Sequence, residues 1–419
     1  MSQSTTTALA EPVERVRPLW ITGVVLVNLG INAAFFGPIQ VLLGQQAIHF
    51  DEGQKEAILA LVTGCGAAVS LVANPLFGAF SDRTASRYGR RVPWVLLGAI
   101  LGAAALVGLA GAPNVAVMTI LWCLVQAGCN GAYAAVTAAI PDRVPVVQRG
   151  TVGGLAAMGQ TVGILIGAVI ASAVAGNFAA GYLVCAAALV AGVVLYLFKS
   201  DDAPLAAAAR PPFSLAAFAK GFWVSPVKYP DFAWAWLTRL LVNIGNHMVT
   251  LYLLFFLKDA VHLQETQGIA PEFGVLILTG LYAVMVIVTS VIGGALSDRM
   301  GRRKPLVIVS SGVIALASLI LGFAPTWAGA ITGALVLGIG FGAYLAVDFA
   351  LITQVLPTAL DRGRDLGVIN VANSLPQVVA PLIAFPFVTY WGGYVSLYVA
   401  AAVIGLLGAV FVVKIKSVA

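Results

Sequence analysis

The sequence has little charge. Only 10% of its 419 residues are Asp, Glu, Lys or Arg, whereas about a quarter is usual for soluble proteins. Hydrophobic residues make up 60% of the chain, and the mean hydropathy is +0.97. These values exclude an ordinary soluble enzyme and a largely disordered chain. The apolar runs are continuous rather than alternating, which argues against a transmembrane barrel. The composition predicts an all-α, polytopic membrane protein.

Cysteine and histidine are also scarce, and neither forms a recognisable site. The four cysteines lie in apolar segments without a C-x-x-C pair, and the three histidines lack metal-ligand spacing. No G-x-x-x-x-G-K-[ST] stretch is present, which argues against ATP hydrolysis by this chain. We therefore expect no metal, no cofactor and no enzymatic activity.

Apolar blocks separated by polar or Gly/Pro-rich segments predict twelve transmembrane helices. The first six are predicted at 18–43, 57–81, 93–111, 114–140, 150–175 and 178–199. The second six are predicted at 231–257, 272–297, 304–323, 326–356, 366–390 and 392–414. The domain prediction is a tail over 1–17, a six-helix bundle over 18–199, a linker over 200–230 and a second six-helix bundle over 231–419.

The basic residues predict the orientation. If the N-terminus is cytoplasmic, all but three of the 23 Lys and Arg residues fall on the cytoplasmic side. The exceptions are Lys55 and Lys258, on the outside, and Arg239, within a span. By the positive-inside rule, we expect a multi-pass protein of the cell membrane with both termini in the cytoplasm. The net charge of +6 then reflects topology, and we expect no nucleic-acid partner.

Two short stretches repeat between the halves of the chain. One closes the second predicted span and contains Ser81–Asp82–Arg83, Gly89–Arg90–Arg91 and Pro93. The other closes the eighth and contains Ser297–Asp298–Arg299, Gly301–Arg302–Arg303 and Pro305. The offset between Asp82 and Asp298 equals that between Pro141 and Pro357, which predicts an internal duplication of six spans.

These stretches, D-R-x-x-x-R-x-G-R-R and the shorter D-R-x-G-R-R, resemble the cytoplasmic loop signature of the major facilitator superfamily. The fuller copy, residues 81–94, is similar to the loop of glycoside–pentoside–hexuronide symporters and related sucrose transporters. The resemblance implies two six-helix bundles with a central cavity lined by spans 1, 4, 7 and 10. It also implies a sugar-like substrate and, with it, proton-coupled symport.

Both copies of the loop are candidate cytoplasmic gates. A carboxylate at the end of a span can bind nearby arginines in one state and release them in another. The other interpretation is that the arginines only fix topology. The predicted gate residues are Asp82, Arg83, Gly89, Arg90, Arg91, Asp298, Arg299, Gly301, Arg302 and Arg303.

Polar side chains recur at helical spacing on single faces of several spans. Such residues line a transport cavity or form hydrogen bonds between helices, and both interpretations stay open for any one amide. The predicted cavity residues are Asn28, Asn32, Gln126, Asn130, Tyr133, Asn243, Asn246, His247, Tyr344, Asn370, Asn373 and Gln377.

Two charges fall deep inside predicted spans: Arg239 in the seventh and Asp348 in the tenth. Because a charge in the bilayer is costly, we expect the two to approach each other or the substrate. Asp348 is the candidate proton-coupling residue, with Arg239 tuning its proton affinity. The alternative is a permanent structural pair. His247 is a weaker candidate for a proton relay.

Three features depart from related transporters. Melibiose-type symporters bind a cation through acidic residues in the second span, where Asn74 is the only strongly polar side chain between Gly64 and Phe80. The fourth span lacks the internal arginine of proton-driven drug antiporters. The fifth lacks their proline and carries instead Gly159, Gly163 and Gly167, which we expect to serve close helix packing.

The leading interpretation is a monomeric secondary transporter that moves a small polar solute, such as a sugar or glycoside, with protons. One alternative is an exporter of drugs or amphipathic metabolites, and a larger aromatic share in the cavity would favour it. Another alternative, from a different class, is a non-transporting membrane scaffold. The paired gate stretches argue against a scaffold.

Overall fold

The computed structural model describes residues 12–174, 176–200, 202, 225–300, 303–355 and 362–416. Helices dominate these ranges, and no strand occurs in them. The chain divides into two compact units. The first contains Met1–Gly53 and Cys65–Phe213, and the second contains Gln54–Gly64 and Ser214–Ala419. Helix α3 contributes its first turns to the second unit and the remainder to the first.

The helices of the first half follow the predicted spans within a few residues, except at the end of the first span. They are α1 (Pro18–Gly37), α2 (Leu43–Phe50), α3 (Lys55–Asp82), α4 (Val92–Ala110), α5 (Val115–Arg143), α6 (Val146–Ala173) and α7 (Phe178–Lys199). A π-helical segment, Pro38–Leu42, joins α1 to α2.

The first span therefore continues to Phe50, beyond the predicted end at 43. Polar residues in α2 led to the shorter prediction, but Gln46 is buried with both ends of its amide bonded. It donates to the Leu109 carbonyl at 3.0 Å and accepts from the Tyr182 hydroxyl at 2.8 Å. A satisfied amide is tolerated inside the membrane, so the helix does not end there.

The second half repeats this organisation. Its helices are α8 (Pro230–Leu251), α9 (Leu253–Asp259), α10 (Leu263–Gln267), α11 (Pro271–Met300), α12 (Lys304–Phe323), α13 (Trp327–Gln354), α14 (Arg362–Thr389) and α15 (Gly393–Val412). Helices α8 and α9 meet at a bend of 43° and are together long and apolar enough to count as one span.

Within the described ranges, ten helices are long and apolar enough to cross a membrane, and the bent α8–α9 pair makes an eleventh. The remaining predicted span coincides with α14, whose segment Ser374–Thr389 is a shorter apolar helix. The predicted all-helical, polytopic membrane fold is confirmed.

Helix packing inside the two units follows one pattern. In the first unit α1 packs along α6 and α7, and α4 packs along α5 and α7. In the second unit α8 packs along α14 and α15, and α12 packs along α13 and α15. Corresponding helices thus have corresponding partners, as an internal duplication requires.

Close packing of α1 on α6 depends on the glycines of the fifth span. A Cβ atom at Gly163 would lie 2.5 Å from the Leu29 carbonyl oxygen, and one at Gly159 would lie 2.6 Å from that of Val25. Only glycine allows such an approach without moving a backbone. The packing role predicted for these glycines is confirmed.

Lys55, the first residue of α3, fixes that helix end within the second unit. Its Nζ lies 2.7 Å from Asp259 Oδ2 and donates to Oδ1 at 2.8 Å. The Tyr394 hydroxyl donates to Oδ2 at 2.9 Å. Lys55 is only 7% exposed. The start of α3 is therefore held by a buried ammonium group whose partner, the Asp259 carboxylate, has both oxygens hydrogen-bonded.

We expect Gly163→Ala to lower the thermal unfolding midpoint of the purified protein, because overpacking a tight contact costs roughly 1–3 kcal/mol. Gly154→Ala is the matched control on the same helix, since a Cβ there meets nothing within 4 Å. It should leave the midpoint unchanged or raise it through helix propensity. Equal shifts in the two variants would contradict the packing role.

We expect Asp259→Asn to destabilise the protein by about 2 kcal/mol, because it leaves the Lys55 ammonium buried without an anion. The double variant Lys55→Met, Asp259→Leu removes both charges and should recover most of the loss. Thermal unfolding of the three proteins checks this. If the single variant unfolds at the wild-type temperature, the ion pair does not stabilise this end of α3.

Candidate functional site

The loop between α3 and α4 holds a network of ion pairs in the first unit. Arg91 Nε lies 2.7 Å from Asp142 Oδ2, and its Nη2 lies 2.6 Å from Asp82 Oδ1. Its Nη1 donates to Ser81 Oγ at 2.8 Å. Arg90 Nη2 pairs with Asp142 Oδ1 at 2.5 Å. We call these residues, together with Asp202, the signature cluster.

Asp202 lies beyond α7 and caps α4 from a distance. Its Oδ2 accepts from the Arg91 backbone N–H at 2.5 Å and from that of Val92 at 3.0 Å. The N-cap residue itself makes no side-chain cap, so this carboxylate satisfies amides that the helix cannot. Burial raises the pKa of the Asp202 carboxyl, and the two N–H bonds oppose that rise.

The turn before α4 is shaped around this carboxylate. Gly89 has φ +90°, in the left-handed region, and a Cβ atom there would collide with the Asp202 carboxylate. Pro93 lies in the first turn of α4, where its missing N–H is harmless. The loop that follows α3 therefore has a specific conformation, in which the backbone is fitted to the Asp202 carboxylate, and does more than carry positive charges.

The other predicted gate residues lie apart from the ion pairs of Arg90 and Arg91 given above. Arg83 donates to the Ala79 carbonyl of its own helix at 2.6 Å. In the second copy Arg299 is exposed, and Arg303 precedes α12. The Asp298 side chain, Gly301 and Arg302 lie outside the described residues.

Amide and hydroxyl groups of α5 and α6 form a second group, which we call the amide cluster. Asn130 Nδ2 donates to Gln126 Oε1 at 3.0 Å and to the Gln126 carbonyl at 2.8 Å. Gln160 Nε2 donates to the Tyr133 hydroxyl at 2.6 Å and approaches Asn28 Oδ1 at 3.5 Å. Gln160 thus joins two predicted cavity residues, Tyr133 and Asn28, while Asn130 and Gln126 bond to each other in the same unit.

Asn28 and Asn32 also bond to their own helix. Each Nδ2 donates at 2.8 Å to the carbonyl four residues earlier, on Val24 and Asn28 respectively. These donors are therefore occupied, and helix stabilisation explains them as well as substrate binding does.

Arg239 of α8 and Asp348 of α13 form a buried pair in the second unit. Arg239 Nε lies 3.2 Å from Asp348 Oδ2, and the Tyr344 hydroxyl donates to Oδ1 at 3.0 Å. Asp348 is 3% exposed and Arg239 9%. The predicted approach of the two charges is present. Among the described residues, no group makes an aligned hydrogen bond to Oδ2.

The other predicted cavity residues of the second unit differ in their surroundings. Asn243 Nδ2 donates to the Arg239 carbonyl at 2.9 Å. Asn246 is buried, and within the described ranges its Oδ1 has no hydrogen-bond partner. His247 is half-buried and Gln377 is exposed. The side chains of Asn370 and Asn373 lie outside the described residues.

Three aromatic rings form a row beside the buried pair. Tyr282 of α11 and Phe341 of α13 have centroids 6.2 Å apart and planes 29° apart. Phe341 and Tyr344 follow with 6.1 Å and 30°. The Tyr282 hydroxyl lies near the Asn246 side chain. We call Tyr282, Phe341 and Tyr344 the aromatic row.

Sequence reasoning missed several members of these groups. Asp142 directly follows Pro141, and Asp202 follows the last span of the first half, so acidic residues at span ends could have been noticed. Gln160 is the only strongly polar side chain in the apolar part of the fifth span. Tyr282 and Phe341 carry no signal, because aromatic residues are common in spans.

The comparisons with known proteins agree with this fold. No curated protein matches the sequence. Three solved structures resemble the fold at 12–14% identity: two are described as POT family transporters and one as the peptide transporter POT. One, in complex with a thioalcohol-conjugated peptide, has a TM-score of 0.75, with 94% of this chain and 95% of that chain covered. At such low identity the likeness shows the fold alone.

The two other structures cover more of the chain. One, in complex with 5-aminolevulinic acid, has a TM-score of 0.77, with 98% of this chain and 100% of that chain covered. The other, in complex with sulfate, has a TM-score of 0.76, with 98% and 97% covered. The family model of the Major Facilitator Superfamily matches residues 20–277 and 260–418. The chain is a membrane transporter and belongs to the Major Facilitator Superfamily.

Proposed function

We propose that the protein is a proton-coupled symporter that moves a small neutral polar solute, of the sugar or glycoside class, by alternating access. The observation that carries this proposal is the Arg239–Asp348 pair. It joins the two charges that lie deep inside the predicted spans. The face of α8 that carries Arg239 also carries the amides Asn243 and Asn246. Charges retained in a bilayer at this cost are usually functional.

Proton coupling follows from the chemistry of Asp348. Tyr344 holds Oδ1, and Oδ2 lies beside Arg239 without an aligned hydrogen bond. A proton on Oδ2 would neutralise the carboxylate and remove most of its attraction for Arg239. The helices α8 and α13 would then lose their ionic contact, so protonation and helix arrangement are linked.

The solute class is inferred from the side chains around the candidate cavity faces. The amide oxygens of the amide cluster and Asn246 Oδ1 are acceptors, which suits the hydroxyl donors of such a solute. The ionic pair is internally neutral and leaves no excess charge to attract an ionic solute. The resemblance of the loop at 81–94 to sugar-transporting relatives supports the same class.

The signature cluster is the proposed cytoplasmic gate, and both termini are proposed to be cytoplasmic from the distribution of Lys and Arg. Arg91 bonds to residues of three segments: the end of α3, the end of α5 and the residue Asp202 after α7. A change in the position of any of these segments would alter its pairing. Such a network biases the equilibrium between two conformations.

A second candidate function is export of amphipathic compounds. The aromatic row favours it, because stacked rings on an inner helix face bind planar apolar molecules. Uptake assays in inverted vesicles with a lipophilic cation and with sugars would separate the two functions. Transport of the cation alone would favour export.

We expect the double variant Arg239→Gln, Asp348→Asn to lose proton-driven accumulation while retaining solute exchange across the membrane. It removes the titrating carboxyl without leaving an unpaired buried charge, so the fold should survive. Accumulation driven by an imposed pH gradient, and exchange without one, are measured in proteoliposomes.

Glu265→Gln is the matched control, since Glu265 is 80% exposed and lies outside the spans. It should accumulate solute as the wild type does. Wild-type accumulation by the double variant would make the pair purely structural and overturn the coupling role.

We expect Arg91→Lys to slow transport about tenfold with little change in solute affinity, because lysine cannot reproduce the forked contacts of the guanidinium. Arg87→Lys is the matched control in the same loop, where the guanidinium is exposed and bonds to its neighbour Tyr88. Both variants keep the positive charge. If the loop only sets topology, both should transport at the wild-type rate, and initial rates over a range of solute concentrations decide between the two.

A further inference from the structure

The chain just beyond α7 is fixed to the first helix of its own unit. The Trp20 indole N–H donates to the Ser200 carbonyl at 3.0 Å, and both residues are buried. Asp202 follows two residues later, in the predicted linker at 200–230 and outside every span. Because Ser200 is held, the Asp202 carboxylate is presented from a fixed point of the first unit.

Helix α4 obtains its N-terminal cap from this carboxylate. The residue at its own N-cap position, Arg91, has helical backbone angles and no capping side-chain bond. Asp202 Oδ2 accepts instead from the backbone N–H groups of Arg91 and Val92, at 2.5 and 3.0 Å. A carboxylate in this place satisfies the first amides of a helix and opposes the positive end of its dipole. The start of α4 is therefore held by a residue from a distant part of the sequence.

The capped residue is also the central arginine of the signature cluster. The Arg91 guanidinium pairs with Asp82 at the end of α3 and with Asp142 near the end of α5. The backbone N–H of the same residue is bonded to Asp202. A shift of the Arg91 backbone by about 1 Å would take both ion pairs out of hydrogen-bonding distance. Holding this backbone therefore determines which acids the side chain reaches.

We propose that Asp202 is a positioning residue of the cytoplasmic gate: its ionised carboxylate holds the Arg91 backbone, so that the Arg91 side chain reaches Asp82 and Asp142 together. The inference rests on the proposed gate, and it adds that a residue of the predicted linker controls how firmly the arginine of the gate is held. The loop is shaped for this carboxylate, since a Cβ atom at Gly89 would collide with it.

The cap should weaken as the cytoplasmic side becomes acidic. Burial raises the pKa of the Asp202 carboxyl, and Asp142 of α5 adds to the rise, whereas the two N–H bonds and the Arg91 charge oppose it. Tyr196 of α7 and Arg143 of α5 belong to the same group of interacting side chains. The carboxylate is ionised above its pKa, so the full cap is present at higher pH and is lost as the pH falls through that pKa.

Hydrogen–deuterium exchange of the full-length protein in lipid nanodiscs, read by mass spectrometry, tests the role without any solute. Asp202→Ala should speed exchange at the start of α4 about fivefold, as expected for a lost helix cap. The end of α5, which is linked to Asp202 through Arg91, should exchange about threefold faster, because Asp142 loses its aligned partner. Glu14→Ala is the matched control, since it removes an exposed acidic residue of the same unit. It should exchange as the wild type does in both segments.

A pH series separates the charged cap from a structural role of the side chain. Asp202→Asn keeps an acceptor for the two N–H groups but cannot ionise, so its exchange at the start of α4 should lie between those of the wild type and Asp202→Ala. From about pH 8 to about pH 5 the wild type should approach Asp202→Ala, whereas the ratio of the Asn to the Ala variant should stay constant. Comparing the proteins at each pH cancels the intrinsic pH dependence of amide exchange.

Each outcome decides one step. Wild-type exchange at α4 in Asp202→Ala overturns the cap, and faster exchange at α4 with none at α5 overturns the positioning of Arg91. A difference between the wild type and Asp202→Ala that persists at acidic pH overturns the need for an ionised carboxylate. If Asp202→Ala fails to fold, the wild type and Asp202→Asn give the same readings with smaller differences. Failure here leaves the proposed transport standing, whereas a wild-type rate in Arg91→Lys would overturn the gate and leave the exchange results unchanged.

Discussion

A charge inside a lipid bilayer needs a partner of opposite sign or access to water, and this constraint governs where every charge of the protein lies. Nearly all the basic residues stand at span ends. The Arg239–Asp348 pair is the exception within the spans, and its two members come from different helices of one unit. Because neither charge is tolerated alone, the pair joins α8 to α13 by an ionic contact that neither helix could keep without the other.

Uncharged polar groups inside the bilayer also need partners, because no water is present there to form hydrogen bonds with them. Asn28, Asn32 and Asn243 donate to carbonyls of their own helices, which keeps their donors satisfied whether or not a solute is present. Asn246 differs, because its oxygen has no donor in the described part of the chain. The first three amides are satisfied by their own helices, whereas the Asn246 oxygen is a buried acceptor that no described residue fills.

The sequence predicts the helices well because hydropathy directly reports what a bilayer requires. It also predicts the approach of Arg239 to Asp348, since two deep charges have few alternatives. It does not predict which acids Arg91 binds. Asp142 and Asp202 reach that arginine only after α5 and α7 have packed beside α4. The row formed by Tyr282 and Phe341 depends on the packing of α11 on α13, which no local pattern reports.

The two ion pairs of the second unit, Lys55–Asp259 and Arg239–Asp348, differ in how completely the carboxylate is hydrogen-bonded. Asp259 has both oxygens bonded, to the Lys55 ammonium and to the Tyr394 hydroxyl. Asp348 has one oxygen held by Tyr344 and the other beside Arg239 without aligned hydrogen bonding. The fully bonded carboxylate of Asp259 joins the end of α9 to the start of α3 and to Tyr394 of α15. The carboxylate of Asp348 keeps one oxygen without an aligned hydrogen bond among the described residues, and for this reason the coupling role is proposed for Asp348 and not for Asp259.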